Sequence, residues 1–257
     1  MHLAQVDSTN AELLRRLRGL HARGARAPEG LSVRADFQTA GRGRHGRSWE
    51  GNAGANLYVS YALSAAGLGP ERLFALSQNL ALAVRGLVEA LTAADDVRVK
   101  WPNDVLAGDR KVAGLLLEST LQSGGVAFVV AGIGLNVNQT DFAAAPGATS
   151  LALLRGHPFD VASVWRQLTA RLQAAQVRLE RCVARGDLYP LQGDYHAHLF
   201  GLGESSRYTD LAEGSTFVAR LVGVTPDGRL RLERGDRECA YRLDEVRWQG
   251  CLPVGRL

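Results

Sequence analysis

The longest regular pattern in the sequence spans residues 71–94, where apolar residues recur at the three- and four-residue spacing of an amphipathic helix. A helix with one apolar face has to bury that face against another element. The neighbouring segments are short and strand-like, and hairpin turns such as Gly108-Asp109 join them as often as helices do. This order of elements predicts an α+β fold with a mixed or antiparallel sheet rather than a doubly wound parallel one.

Other elements follow from the same helical spacing and from the two-residue alternation that is typical of strands. One helix is predicted to begin behind the capping residues Asp7 to Asn10, and another spans Val161–Ala184. Strands are predicted at residues 31–37, 56–63, 97–101, 105–107, 112–118 and 126–137.

The composition changes near residues 201–214, where glycine and serine are frequent and we predict a linker. Beyond it, short strands are predicted at residues 216–224, 230–233 and 239–242, separated by turns such as Pro226-Asp227-Gly228. These strands predict a small β-barrel. We therefore expect two domains, residues 1–208 and residues 209–257.

Net charge, uncharged stretches and cysteine spacing limit the classes of protein to which this chain could belong. A net charge of +4 suits anionic ligands such as nucleotides without requiring nucleic acid. The long uncharged stretches at residues 51–70 and 119–140 are broken by glycines and polar residues, so no membrane helix is expected. The first residues do not resemble a secretory signal, and Cys182, Cys239 and Cys251 lack metal-ligand spacing, so a cytoplasmic protein with reduced thiols is expected.

Lysine is rare in this chain. Only Lys100 and Lys111 occur among 30 basic residues, and both lie in one short segment. A codon bias toward arginine explains the ratio but not the place where lysine remains. An ammonium is a compact charge that can approach both a carboxylate and an α-phosphate, which suggests a functional site, although two surface lysines by chance remain the alternative.

A loop at residues 38–49 combines three arginines with glycines that expose backbone N–H groups. Guanidinium groups and exposed amides together can grip phosphate oxygens, and Trp49 offers a flat face to a ring. A nucleic-acid contact or a solvated basic loop would have the same composition.

Two further segments point to a ligand. Glycines at positions 132 and 134 interrupt a strand, which is costly unless another group approaches closely. The third glycine of a dinucleotide-binding loop is missing and no helix follows, so a Rossmann site is not indicated. Ser8, Thr9 and Asn10 either cap the first helix or receive a polar ligand group.

In this order and spacing, these segments resemble the catalytic core of biotin protein ligases of the BirA family. The resemblance rests on Asp7 to Asn10, the arginine loop, Asn56-Leu57-Tyr58, the Lys-Trp-Pro-Asn-Asp run from Lys100, and the segments at 111–114 and 132–138. It implies a catalytic domain related to class II aminoacyl-tRNA synthetases, followed by an SH3-like barrel.

The resemblance also implies roles for individual residues. Arg44 and Lys111 would be catalytic, and a Mg²⁺ ion bound with ATP would lie near Asp104. The implied biotin-binding residues are Ser8, Thr9, Asn10, Gln38, Gly41, Arg42, Gly43, Arg44, Lys111, Gly114, Gly132 and Gly134. The implied ATP-binding residues are Arg42, Arg44, Arg47, Trp49, Asn103, Lys111 and Asn136.

The implied reaction is the ATP-dependent activation of biotin as biotinoyl-5'-AMP and its transfer to a lysine of a biotin carboxyl carrier protein. Because the ligase-like segments start at the N-terminus, a monofunctional enzyme without DNA binding is expected. An exposed sheet edge would be available to a second copy or to the carrier. Two alternatives stay open: a lipoate or octanoate ligase of the same fold, and a nucleic-acid-binding module.

Overall fold

The computed structural model describes residues 1–25, 30–65, 67–122 and 125–251, so the last six residues of the expected barrel lie outside the described part. Five helices are present in these ranges: α1 (Thr9–Ala22), α2 (Phe74–Thr92), α3 (Leu151–Arg155), α4 (Val161–Ala184) and α5 (Tyr189–Ala197). The first seven strands are β1 (His2–Val6), β2 (Ser32–Gln38), β3 (Leu57–Leu63), β4 (Val97–Lys100), β5 (Asp104–Ala107), β6 (Arg110–Gln122) and β7 (Gly125–Leu135).

These strands form one sheet in the order β1-β2-β3-β7-β6-β5-β4. Only the β1–β2 pair is parallel, and every other neighbouring pair is antiparallel. The predicted mixed sheet is confirmed, including the β5–β6 hairpin that turns at Gly108-Asp109.

The two faces of the sheet are covered by different helices. Alternation along β7 places Val129 and Ala131 in the main core and Val130 in a second core with Leu13 and Leu17 of α1. The main core includes the apolar stripe of α2, which packs against α4. Helix α4 begins where predicted, because Asp160 accepts hydrogen bonds from the backbone N–H groups of residues 162 and 163.

The remaining strands form a five-stranded antiparallel sheet in the order β11-β10-β9-β8-β12. Their bounds are β8 (Ser205–Asp210), β9 (Thr216–Val224), β10 (Leu230–Arg234), β11 (Arg237–Tyr241) and β12 (Val246–Cys251). The linker predicted at residues 201–214 is wrong, because β8 occupies its middle. Serine and glycine obscured the alternation there, in which Ser206 and Tyr208 are buried and Tyr208 stacks on Phe217.

Sequence periodicity also missed β1, α5 and β12. Strand β1 has no buried residue and is an edge strand, so it lacks the apolar alternation that identifies a half-buried strand. In the described ranges, no helix is both long and apolar enough to cross a membrane.

Candidate functional site

The main cavity opens on the sheet face that α1 partly covers. Its volume is about 470 Å³, and Gly114 of β6 with Gly132 and Gly134 of β7 lie in its wall. Gly134 pairs with Gly114 across the two strands, and both lie on the same side as Val130. Since α1 begins only at Thr9, these glycines leave an open floor beyond the helix.

Side chains approach this floor closely, which explains the glycines. A Cβ on Gly134 would lie 2.7 Å from Cζ2 of Trp49, and one on Gly114 would lie 2.8 Å from Cζ3 of the same ring. A Cβ on Gly132 would collide with the Asn10 amide. The sequence predicted a close approach at these positions, and the approaching groups are Trp49 and Asn10.

Neutral polar groups form one end of the cavity. Ser8, Thr9 and Asn10 are all buried, and they lie at the N-terminus of α1 beside Gln38 at the end of β2. Ser8 occupies the N-cap position but makes no side-chain capping bond. All four residues line the cavity, and Gln38 takes over the capping of the helix, since its Oε1 accepts from Thr9 N at 2.8 Å.

The arginine loop folds back on itself over the cavity. Arg42 and Ser48 form an antiparallel bridge, and Gly43 N donates to Arg47 O at 2.7 Å. A 3₁₀ turn at Arg44–Gly46 forms the tip. Arg42, Gly43, Arg44 and Arg47 line the main cavity, whereas Gly41 lines only the adjoining one, because its backbone packs against Trp49.

Lys111 lines the cavity beside Trp49, the residue that ends the arginine loop. Its Nζ is 2.7 Å from Oδ1 of Asp104 and 5.0 Å from the centroid of the Trp49 ring. The Trp49 Nε1 is buried and has no hydrogen-bond partner. The lysine therefore presents a charge held by one carboxylate and one aromatic ring.

Two predicted nucleotide contacts have different positions. Asn103 lines the cavity, and its Nδ2 donates to the backbone O of Leu115. Asn136 is buried and is not among the cavity-lining residues, since its Nδ2 donates to Thr149 O at 2.9 Å. The structure thus brings all predicted site residues except Gly41 and Asn136 to the main cavity.

The barrel forms a wall of the cavity that the sequence did not predict. Asp244, Arg247 and Trp248 line it, and Lys100 Nζ lies 3.6 Å from the centroid of the Trp248 ring. Trp101 Nε1 donates to Gly228 O of the barrel at 2.9 Å. No local pattern signals this docking, because it joins residues far apart in sequence.

Arg44 at the loop tip is exposed, although many protein atoms surround its guanidinium. Desolvation lowers the pKa of the Arg44 guanidinium, and the negative charge of Asp104 acts in the opposite direction. The guanidinium stays protonated because its ordinary pKa is so high. A cation that lines a cavity favours an anionic ligand.

Comparison with known proteins identifies this architecture. The solved structure of a biotin protein ligase from Aquifex aeolicus in complex with biotin and ATP matches 97% of this chain and 97% of its own length, with a TM-score of 0.76 and 26% identity. The likeness confirms the predicted α+β fold with an SH3-like barrel. A model of the biotin/lipoate A/B protein ligase family matches residues 4–138. The chain belongs to this family.

Two curated relatives extend the likeness beyond the family model. A biotin--[acetyl-CoA-carboxylase] ligase of Mycobacterium tuberculosis is 35% identical over 246 residues, which cover 95% of this chain and 86% of that protein. A bifunctional ligase/repressor BirA of Bacillus subtilis is 33% identical over 222 residues, which cover 82% of this chain and 63% of that protein.

Proposed function

We propose that this chain is a biotin protein ligase acting in the cytoplasm. It converts biotin and ATP to biotinoyl-5'-AMP and pyrophosphate and passes the biotinoyl group to a lysine of a biotin carboxyl carrier protein. The observation that carries the proposal is one continuous cavity, which is lined by a neutral hydroxyl and amide cluster, by Lys111 and by the arginine loop. The names of the relatives agree with this substrate.

In the first step a carboxylate oxygen of biotin attacks the α-phosphorus of ATP, and pyrophosphate leaves. The ureido head group occupies the end formed by Ser8, Thr9, Asn10 and Gln38, which places the carboxylate toward Lys111. The ammonium of Lys111 offsets the repulsion between carboxylate and phosphate and stabilises the charge that develops between them. Arg44 and Arg47 contact the phosphates, and Trp49 lies beside the reacting groups.

In the second step the amine of the carrier's lysine attacks the carbonyl carbon of the mixed anhydride. The carbon–oxygen bond to phosphate breaks, AMP leaves, and the amine loses a proton as the amide forms. The mechanism requires no nucleophile from the enzyme. Cys182 and Cys239 are free cysteines, and both lie outside the cavity.

A magnesium ion bound with ATP would take most of its ligands from phosphate oxygens and water. Among the described residues, no group of three acidic, histidine or cysteine side chains could hold a metal alone. Asp104 and Asp244 are the carboxylates of the cavity wall, which fits an ion that the nucleotide carries. The ion would neutralise phosphate charge during transfer.

The test is ATP–pyrophosphate exchange by the purified protein with biotin, lipoate or octanoate as the acid. Biotin should support exchange, because only its ureido group matches the donors and acceptors at the closed end of the cavity. Transfer is then measured with a carrier protein and with its variant in which arginine replaces the acceptor lysine. Exchange with lipoate but not with biotin would refute the proposal and leave the lipoate ligase alternative.

A further inference from the structure

A buried serine lies beneath the cluster formed by Ser8, Thr9, Asn10 and Gln38, which we call the head-group cluster. Ser60 is on β3, opposite Gly132 of β7, and is fully buried. Its Oγ lies 2.5 Å from Oδ1 of Asn10 and 2.7 Å from Oγ1 of Thr9. Ser60 does not line the cavity itself, so it acts on a ligand only through these two residues.

A carboxylate lies on the other side of Asn10. Glu118 of β6 accepts a hydrogen bond from Asn10 Nδ2 through Oε2 at 2.8 Å. Its Oε1 accepts from Arg42 Nη2, also at 2.8 Å. One half-buried carboxylate therefore joins the head-group cluster to the arginine loop.

The chemistry of these partners fixes the direction of each hydrogen bond. Glu118 and the backbone O of Leu116 can only accept, so the Asn10 amide must turn Nδ2 toward both of them. Its Oδ1 then faces Ser60, which has to donate to it. Because a hydroxyl has a single proton, the 2.7 Å contact between Ser60 and Thr9 then needs Thr9 as its donor, although Thr9 Oγ1 can also donate to Oε1 of Gln38 at 3.2 Å.

We propose that Glu118 and Ser60 are positioning residues that set the hydrogen-bond polarity of the head-group site, an inference that rests on the proposed function. With Ser60 as the nearer acceptor of its proton and Gln38 Oε1 as the second, Thr9 offers the cavity only lone pairs. Gln38 uses Oε1 on Thr9 N at 2.8 Å and keeps its Nε2 as a donor. The site thus presents an acceptor and a donor side by side, the complement of the N–H and C=O groups of a cyclic urea.

The first test measures KM for biotin and for ATP, together with kcat, in pyrophosphate exchange by Ser60→Ala and Glu118→Gln. Loss of the Ser60 hydroxyl leaves the buried Asn10 Oδ1 without its donor, and it leaves Gln38 Oε1 and a ligand in the cavity as the acceptors for the Thr9 proton. We expect KM for biotin to rise about five- to tenfold in Ser60→Ala, the effect of one buried hydrogen bond, with KM for ATP unchanged within about twofold. Glu118→Gln should raise it less, because the amide oxygen still accepts from Asn10.

Two variants outside this network are matched controls. Ser77→Ala removes a buried serine of α2, and Glu50→Gln removes a carboxylate beside the arginine loop. Both should keep the wild-type KM for biotin. Unchanged KM for biotin in Ser60→Ala and Glu118→Gln would overturn the inference. Equal rises in both KM values with a lower unfolding temperature would also overturn it, since that pattern indicates general structural damage.

A biotin analogue separates polarity from packing. In the cyclic carbamate analogue, a ring oxygen replaces one ureido N–H, so an acceptor meets the acceptor of Thr9. The wild type should prefer biotin over the better-bound of the two carbamate isomers, and Ser60→Ala should lose much of that preference, because Thr9 can then donate to the ring oxygen in place of Gln38 Oε1. A preference that survives the substitution contradicts the assignment.

Calorimetric binding of biotin separates the proposed function from this inference. A wild type that binds no biotin refutes both. If the wild type binds biotin and the two variants bind it with the same affinity, only the inference is refuted.

Discussion

The two ends of the cavity are built in opposite ways. At the closed end, Ser8, Thr9 and Asn10 are 3–4% exposed and uncharged, and Thr9 and Asn10 form hydrogen bonds with the buried Ser60. At the open end, the side chains of Arg42 and Lys111 are 50% and 34% exposed and carry charge. The closed end is shaped before any ligand arrives, whereas the open end gains its full effect only when an anion replaces water.

This contrast assigns different tasks to the two ends. Fixed, buried polar groups reject a ligand whose donors and acceptors do not match, so the closed end determines which acid is used. Charges on an exposed surface discriminate poorly but stabilise charge that develops during the reaction. Substitutions at the closed end should therefore change KM for biotin, and substitutions at the open end should change kcat or KM for ATP.

The largest effect is expected from Lys111→Arg. The planar guanidinium can keep the pair with Asp104 but does not fit as a point charge between carboxylate and phosphate, with Trp49 and Gly114 close by. We expect kcat for pyrophosphate exchange to fall about 100-fold or more, with an unchanged unfolding temperature. The neighbouring exposed Arg110→Lys, the reverse exchange, should have wild-type kinetics. Wild-type turnover by Lys111→Arg would refute the role of the compact charge.

A matched pair of glycine substitutions tests the contrast directly. In Gly132→Ala the new Cβ meets Asn10, and in Gly134→Ala it meets the Trp49 ring. Both should lose about 1–3 kcal/mol of unfolding free energy through overpacking. Gly132→Ala should raise mainly KM for biotin and Gly134→Ala mainly KM for ATP, each about tenfold. Gly19→Ala, with open space around it in α1, is the control for added helix propensity.

The glycine pair could break the comparison as well as support it. If each substitution raised both KM values equally, the floor would act as one rigid unit and the two ends would not be independent. Unfolding by denaturant, measured beside the kinetics, separates the loss of stability from the change at the site.

Most residues of the candidate site could be predicted from local sequence patterns, but few of the residues around it could. The glycines of β6 and β7 could be interpreted from the sequence, because each signal lies within a few residues. The same holds for Lys100 and Lys111. Ser60 and Glu118 could in principle have been found by alternation, since each lies on the same strand face as a site residue. Trp248 could not, because its place depends on how the barrel docks, which involves contacts between distant parts of the chain.

A moderate effect is expected from Trp248→Ala. This substitution removes the ring under Lys100 and part of the barrel wall of the cavity. An exposed cation–π contact contributes about 0.5–1 kcal/mol, so KM for ATP should rise about three- to fivefold while KM for biotin stays unchanged. Trp248→Phe keeps an aromatic face and should restore most of the loss. A larger effect on biotin than on ATP would place the barrel at the wrong end of the cavity.

The smallest effect concerns the ion pair just before the closed end. Asp7 holds Arg15 through both carboxylate oxygens, at 2.8 and 2.9 Å, and these bonds lower its pKa from 3.8 to about 2. A depressed folded-state pKa means that the pair stabilises the protein fully above pH 3.8 and that this contribution is lost as pH falls toward 2.

Since Asp7 is partly exposed, Asp7→Asn should lower the unfolding free energy at pH 7 by less than about 1 kcal/mol. Denaturant unfolding should show this difference from the wild type shrinking between pH 4 and pH 2, whereas the exposed Asp95→Asn should show none. A difference that persists at pH 2 would mean that packing around Asp7, and not its charge, supports the start of α1.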